Sequence, residues 1–398
     1  MKILQICNKV PFPPNEGGSI AMNLLTDGLL NADCEVKVLA INTKKHFVDI
    51  QTLPAQYRKK TNIEAVFIDT SLKAINAFFN LFTSKSYHIE RFISNDFKKK
   101  LIEILNNDCY DIIQLETLYV CPYIETIRNN SNAKIIYRAH NIEHLIWERT
   151  YKNIRNIVKR AYLKILTKRL KRFEITVLNK IDGIAAITQC DAELLAELGC
   201  NKPIVNIPVG FYLNSLPEKN SNYEFPSLFH IGSMNWIPNI EGIKWFINKV
   251  WMKFNEQHPH IKFYIAGRHM PDCFKNLEDI NIVNLGEVDN AYLFMQSKAI
   301  MIVPLLSGSG MRVKIIEGMA NGKTIITTSI GAEGINYENN KNILIADTPA
   351  QFIEAIKYCI ANKNNIDTIG NNAKLLIENE YDNAKIVLNL IDFYKKVC

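Results

Sequence analysis

The sequence predicts an α/β protein made of two doubly wound parallel sheets in tandem, and three observations carry that expectation. Its 398 residues exceed the roughly 250–300 at which a single hydrophobic core stops growing. Short, β-branched apolar runs alternate with helical stretches, the pattern of parallel strands covered on both faces. A polar stretch without periodicity and with two prolines, NSLPEKNSNYEFPS (214–227), splits these runs into two series.

The first series is KILQIC (2–7), CEVKVLAI (34–41), IEAVFID (63–69), DIIQLE (111–116), AKIIYRA (133–139), GIAAIT (183–188) and PIVNIPVG (203–210). The second is SLFHIGS (227–233), IKFYIAG (261–267), NIVNLG (281–286), AIMIVPL (299–305), KTIITTS (323–329) and NILIAD (342–347). These place one Rossmann-like domain at 1–212, a linker at 213–227, a second domain at 228–380 and a terminal helix at 381–398. Open α/β sheets bind ligands beyond the carboxyl ends of their strands, so a cleft between the two domains and the loops that follow strands are where chemistry is expected.

Composition excludes several classes. With 47% hydrophobic and 22% charged residues the chain is neither disordered nor fibrous. No run approaches the ~20 apolar residues of a membrane span, and the apolar start is cut by Pro11, too short for a signal-peptide core; the expected location is the cytoplasm. The nine cysteines are scattered with no C-x-x-C, which argues against a disulfide framework or a thiolate zinc site. The net charge of +7 is concentrated: ten Lys and Arg lie between Arg149 and Arg172, with Ile154, Ile157, Val158, Ala161, Tyr162, Ile165, Leu166, Leu170 and Phe173 at helical spacing. Two readings stay open, a core-packed helix with a solvated basic back or a helix at 149–172 docked on an anionic membrane surface. No nucleic-acid module accompanies the charge, and no nucleic-acid partner is expected.

Two loops stand out. Gly17-Gly18 follow the first strand and open a helix, where backbone N–H groups can approach an anion. In PLLSGSGMRVKIIEGMANGKTIITTSIGAEG (304–334) a strand ends, Gly308 and Gly310 open the loop, and a helix begins near Met311 with Arg312 and Lys314 in its first turn. Cations are unfavourable at a helix N-terminus unless an anion sits there. That arrangement describes a pyrophosphate cradle, and Glu317 further along the helix can accept from ribose hydroxyls.

RAHNIEHL (138–145) reads literally as H-x-x-E-H, a zinc-peptidase pattern. That chemistry needs both histidines on one helix face with a further carboxylate ligand. AKIIYRA is a strand, so His140 falls at its carboxyl end while Glu143 and His144 begin the next helix. No metal site is expected. Glu116, ending DIIQLE, is expected at the cleft as an acceptor contact.

Residues 228–334, with NEGGS near the start and HNIEH, resemble the retaining glycosyltransferases of family 4 (group 1), in the branch with a G-x-G-x-R-x-K-x-x-E loop. The resemblance implies the GT-B fold of two facing Rossmann-like domains with parallel sheets, the terminal helix crossing back to the first domain. It implies a metal-independent hexosyltransferase that needs no cofactor, takes a nucleotide-diphosphate sugar as donor substrate, and serves a glycan or polyprenyl-linked acceptor in bacterial surface polysaccharide synthesis, peripheral to the membrane. Glu317 matches the family's ribose-binding Glu and His140 its His beside the donor sugar. Gly17, Gly18, Gly232, Ser309 and Gly310 fall at donor-contacting positions. Two departures follow. Ser309 replaces a family Glu, and the loop after the first strand of the second domain has Ser233 and no Lys before Lys244, so Arg312 and Lys314, with Arg268, are expected to neutralise the diphosphate. A sugar-nucleotide 2-epimerase of the same fold and, given Ser309, a sugar-nucleotide binding protein without turnover are the competing readings.

Overall fold

The structure, a computed structural model, describes residues 1–152, 154–213, 222–308 and 310–398, apart from the side chains of 74, 76 and 78. The chain forms two compact units, one of Met1–Gly210 with Asn383–Cys398 and one of Phe211–Asp382.

Each apolar run holds a strand. In the first unit these are β1 (Lys2–Cys7), β2 (Glu35–Thr43), β3 (Glu64–Ile68), β4 (Ile112–Glu116), β5 (Lys134–Ala139), β6 (Gly183–Ala186) and β7 (Ile204–Asn206). They pair in the order β3-β2-β1-β4-β5-β6-β7, parallel throughout. Leu4 and Ile6 of β1 feed the core on one face of the sheet, and Ile3 and Cys7 feed the core on the other. Both faces are covered by helices, which is why these strands read as continuous apolar runs rather than alternating ones.

The second unit contains β8 (Glu224–Ile231), β9 (Lys262–Ala266), β10 (Ile282–Gly286), β11 (Lys298–Val303), β12 (Thr324–Thr327) and β13 (Leu344–Ile345), in the order β10-β9-β8-β11-β12-β13, again all parallel. The linker as read from sequence ends too late. Residues 224–227 are already strand: Glu224 pairs with Lys298 in register, and its carboxylate accepts from Lys298 Nζ at 2.5 Å and Tyr264 Oη at 2.8 Å. Residues 214–221 of that polar stretch lie outside the described residues.

The helix Asn383–Val397 packs on the first unit. A Cβ at Gly28, in the helix Gly17–Asn31, would stand 2.4 Å from Val387 Cγ2, and one at Gly210 would stand 2.2 Å from Asn383 Oδ1. Glycine at these two positions is what lets the terminal helix approach.

The basic stretch 149–172 is not one helix. One helix, Glu143–Lys152, ends there and another, Ile157–Leu178, starts after Asn156, whose side chain accepts from Lys159 N at 2.9 Å. An N-cap of this kind restarts the helix and shifts its register. Leu163, Leu166, Leu170 and Val177 then face the core, whereas Ile157 and Val158, read from sequence as part of one apolar face, stand 81% and 79% exposed.

Candidate active site

Both sheets reverse strand order at one point, between β1 and β4 in the first unit and between β8 and β11 in the second. Open α/β sheets bind ligands beyond the carboxyl ends of the strands at such points.

In the first unit the helix Gly17–Asn31 follows β1, Glu116 ends β4, and His140 follows β5. Glu116 is fully buried and four donors converge on its carboxylate: Gln5 Nε2 at 2.7 Å, Gln114 Nε2 at 2.5 Å, Arg138 Nη1 at 3.4 Å and His140 Nε2 at 2.5 Å. Thr26 Oγ1 donates to Gln5 Oε1 at 2.6 Å, Arg138 Nη1 also donates to Ala21 O at 3.1 Å, and the Tyr394 hydroxyl of the terminal helix donates to Gln114 Oε1. Burial would raise the Glu116 carboxyl, but the Arg138 charge and the bonds from His140 and Gln5 outweigh it and bring it to about 2. Burial lowers His140 below its usual range despite Glu116. The pair is therefore an ionised carboxylate accepting the Nε2 proton of a neutral imidazole, which leaves Nδ1 as the acceptor.

This corrects one expectation. Glu116 does not present itself to an acceptor; its oxygens are consumed by buried donors, and it acts as the anchor behind His140.

His144 serves a second carboxylate. Its Nδ1 lies 2.6 Å from Glu174 Oε2, and Glu174 also accepts the backbone N–H groups of Glu143 and His144 at 3.0 and 3.2 Å. The two histidines of HNIEH thus belong to separate networks, one at a strand end and one capping a helix. Glu143 is held by Tyr119 Oη at 2.7 Å, and burial pushes its carboxyl up to about 7.

At the start of the helix Gly17–Asn31, a Cβ at Gly17 would meet nothing within 4 Å, and one at Gly18 would lie 3.3 Å from Lys9 Cε. Lys9 Nζ bonds Glu16 at 2.9 Å, with His46 Nδ1 3.6 Å from the same carboxylate. Sequence reading passed over Lys9.

In the second unit the loop after β11 carries Gly308 at φ +123° and Gly310 at φ +78°, both in the region that favours glycine, and leads into the helix Val313–Ala320. Ser309 lies outside the described residues. Arg312 is buried beside Gly310, whose carbonyl it bonds, and its Nη2 is 3.9 Å from Glu333. Lys314 Nζ donates to a neutral group, Asn239 Oδ1, at 2.5 Å. Burial, with Arg312 nearby, lowers the Lys314 ammonium to about 7. Trp236, in the loop after β8, lies under both cations, 5.6 Å from the Arg312 guanidinium and 5.8 Å from Lys314 Nζ by ring centroid.

Gly232 closes the floor. A Cβ there would lie 3.0 Å from Lys314 Nζ and 3.4 Å from His230 Nε2, while His230 Nδ1 donates to Ile302 O at 2.7 Å. His230 is held neutral by burial and by Lys314, and its Nε2 has no hydrogen-bond partner among the described residues. Glu317 accepts from Tyr292 Oη at 3.4 Å, and burial raises its carboxyl to about 7. Arg268, after β9, is half-exposed and bonds Glu287 at 2.8 Å. Gly232, Gly310, Arg312, Lys314 and Glu317 are thus gathered at the switch point of one sheet, and Gly17, Gly18 and His140 at that of the other. Trp236, His230, Asn239 and Tyr292 were not read from sequence; Trp236 in GSMNWIPN and His230 within an apolar strand are the residues whose type could have drawn attention.

The two parallel sheets with their helices are those of the GT-B fold. Residues 225–362 match the family model described as Glycosyl transferases group 1. An uncharacterized 44.6 kDa protein in the cps region of Klebsiella pneumoniae is 24% identical over 97% of both chains. Among solved structures, sucrose-phosphate synthase from Thermosynechococcus elongatus superposes with a TM-score of 0.73 at 13% identity, covering 100% of this chain and 99% of that one. Anabaena HepE in complex with UDP superposes with a TM-score of 0.68 at 14% identity over 100% of both chains.

Proposed function

We propose that this chain is a retaining, metal-independent hexosyltransferase of family 4 that moves a sugar from a uridine-diphosphate sugar to a glycan or lipid-linked acceptor in surface polysaccharide synthesis. The observation that carries the reading is the Arg312–Lys314 pair at a helix start, Arg312 buried and Lys314 partly so, with Lys314 paired only to an amide oxygen among the described residues. Two adjacent cations drawn partly out of water are stabilised by an anion placed against both. A nucleoside diphosphate supplies two negative phosphates at that point, and the ribose hydroxyls find Glu317.

In the reaction, the bond between the anomeric carbon and the β-phosphate oxygen breaks and its electron pair leaves with the diphosphate. The acceptor oxygen bonds to the anomeric carbon on the same face, and its proton goes to the departing phosphate oxygen. Arg312 and Lys314 stabilise the charge that develops on that oxygen, the largest lever available to such a site. His140, locked by Glu116, positions the transferred sugar. UDP on HepE supports the choice of base, and the Klebsiella relative in a cps region supports the polysaccharide setting.

The proposal places the protein on the cytoplasmic face of a membrane. Among the described residues no helix is long and apolar enough to cross one. The first unit instead exposes Leu72, Ile75, Phe79, Phe82, Ile157 and Val158 close in sequence to Lys73, Lys85, Lys159 and Arg160, apolar anchors with basic neighbours.

Slow hydrolysis of UDP-glucose, UDP-galactose and UDP-N-acetylglucosamine, followed by proton NMR, tests the reaction type. The expected first product is the α-anomer of one free sugar with UDP. A β-anomer would overturn retention, and an epimerised UDP-sugar without UDP release would favour the epimerase. Arg312→Ala is expected to lower turnover by about 10²-fold; a change within a few-fold would remove Arg312 from the diphosphate site.

A further inference from the structure

The first unit holds a cavity of about 400 Å³ between the helix Ile157–Leu178, residues 84–93 and residues 121–125. Nothing in the transfer reaction uses it. It shares no residue with the Glu116–His140 network or the Gly17–Gly18 helix start. Its size falls in the range of small-molecule sites.

The lining has two parts. The floor is apolar, made by Ile89, Ile124, Phe173 and Val177, with Ile93 at the edge, 51% exposed. The rim is cationic, with Lys85, Arg169, Arg172 and Lys180 against two carboxylates, Glu90 and Glu125. Each carboxylate already holds a lysine, Lys85 to Glu90 at 3.1 Å and Lys180 to Glu125 at 3.0 Å. Arg169 spends its guanidinium on the neutral carbonyls of Asn80 and Leu81, at 2.8 and 2.9 Å. Among the described residues no carboxylate pairs with Arg169 or Arg172, so the rim keeps two uncompensated positive charges. Ser86 adds a buried hydroxyl that lines the cavity and has no hydrogen-bond partner among the described residues.

Positions 169, 172, 173, 176 and 177 of the helix Ile157–Leu178 all line the cavity and recur at helical spacing, so one helix stripe supplies both guanidinium groups and part of the apolar floor. We infer that this cavity binds an amphiphilic phosphate, a phosphorylated head group held by Arg169 and Arg172 with the first part of its hydrocarbon chain on Ile93, Phe173 and Val177. An apolar ligand alone would leave the two guanidinium charges unanswered, and a free anion would leave the apolar floor wet. Ile93 lines the cavity and is 51% exposed, so it carries the apolar floor to the surface. A lipid phosphate, chain outward along that surface, meets both requirements.

The full-length protein is titrated calorimetrically with dodecyl phosphate below its micelle concentration, with inorganic phosphate and with dodecyl maltoside. The variants are Arg172→Glu and Ile93→Glu, both at exposed positions, with Lys99→Glu as a charge control elsewhere on the same unit. Thermal stabilisation by UDP is recorded for every variant. The expected result is binding of dodecyl phosphate alone, weakened about tenfold or more by Arg172→Glu and by Ile93→Glu, unchanged by Lys99→Glu, with the UDP response intact. Equal binding of inorganic phosphate or of dodecyl maltoside would overturn the inference, as would an equal loss in Lys99→Glu. Loss of the UDP response in wild type would overturn the donor reading and leave this one standing. Vesicles of phosphatidylglycerol and phosphatidylcholine, with and without added dodecyl phosphate as competitor, then separate sources: competition expected for a membrane lipid, none for a soluble phosphorylated amphiphile.

Discussion

His140 Nε2 lies 2.5 Å from Glu116 Oε2, and that carboxylate is fully buried among Gln5, Gln114 and Arg138. The contact fixes the tautomer of the imidazole and its orientation at the end of β5. Glu116→Gln replaces two acceptor oxygens with one and adds two donors where four already converge. It also leaves the Arg138 charge buried without its partner, a loss of about 3–5 kcal/mol. Turnover is expected to fall about 10²-fold while UDP still stabilises the second unit. The double variant Glu116→Gln with Arg138→Met is expected to recover much of the stability and none of the turnover. Recovery of both would show that Glu116 serves the fold alone.

His88 gives a pH prediction with a definite sign. It is buried, stacked on Trp147 at 3.9 Å between centroids, and neither ring nitrogen has a hydrogen-bond partner among the described residues. Burial, with Arg91 nearby, lowers it to about 4 from its ordinary 6.5. A lowered group is neutral in the fold and takes up its proton earlier in the unfolded chain. Its contribution is complete above pH 6.5 and is lost as pH falls towards 4. The span corresponds to about 3 kcal/mol. His88→Phe should therefore leave the melting temperature near that of wild type at pH 7.5 and raise it clearly at pH 5. Equal melting temperatures at pH 5 would mean that His88 finds a proton acceptor in the fold.

If the diphosphate binds at Lys314 as proposed, donor binding is linked to protons. Without an anion its ammonium is lowered to about 7 by burial and by Arg312. A diphosphate beside it raises the ammonium again, so binding of UDP at pH 8 should take up close to one proton. Calorimetry in buffers of different ionisation enthalpy measures this directly. The uptake is expected to vanish in Lys314→Arg, which stays charged throughout. Uptake that survives in that variant would assign the proton to another group.

The strands were legible because a parallel strand covered on both faces needs a mostly apolar run, and AKIIYRA, DIIQLE and AIMIVPL supply one. Arg312 and Lys314 were legible because two cations at a helix start oppose the helix dipole and so ask for an anion. Glu116 was misjudged because its role depends on Gln5, Gln114 and Arg138, brought together by sheet register across more than a hundred positions of chain. A polar residue inside an apolar strand was the available signal, at Gln5, Gln114, Arg138 and His230 alike. The basic stretch was misjudged because ten cations mask the helix break, which only the cap at Asn156 reveals.

The central claim is that Arg312 and Lys314 form a diphosphate site that needs no metal. Thermal stabilisation by UDP, GDP, ADP, CDP and dTDP, with and without EDTA, in wild type and in Lys314→Ala, tests it most directly. One nucleotide, expected to be UDP, should raise the melting temperature equally with and without EDTA, and Lys314→Ala should remove most of that shift. No shift with any nucleotide, or a shift that EDTA abolishes, would contradict the account.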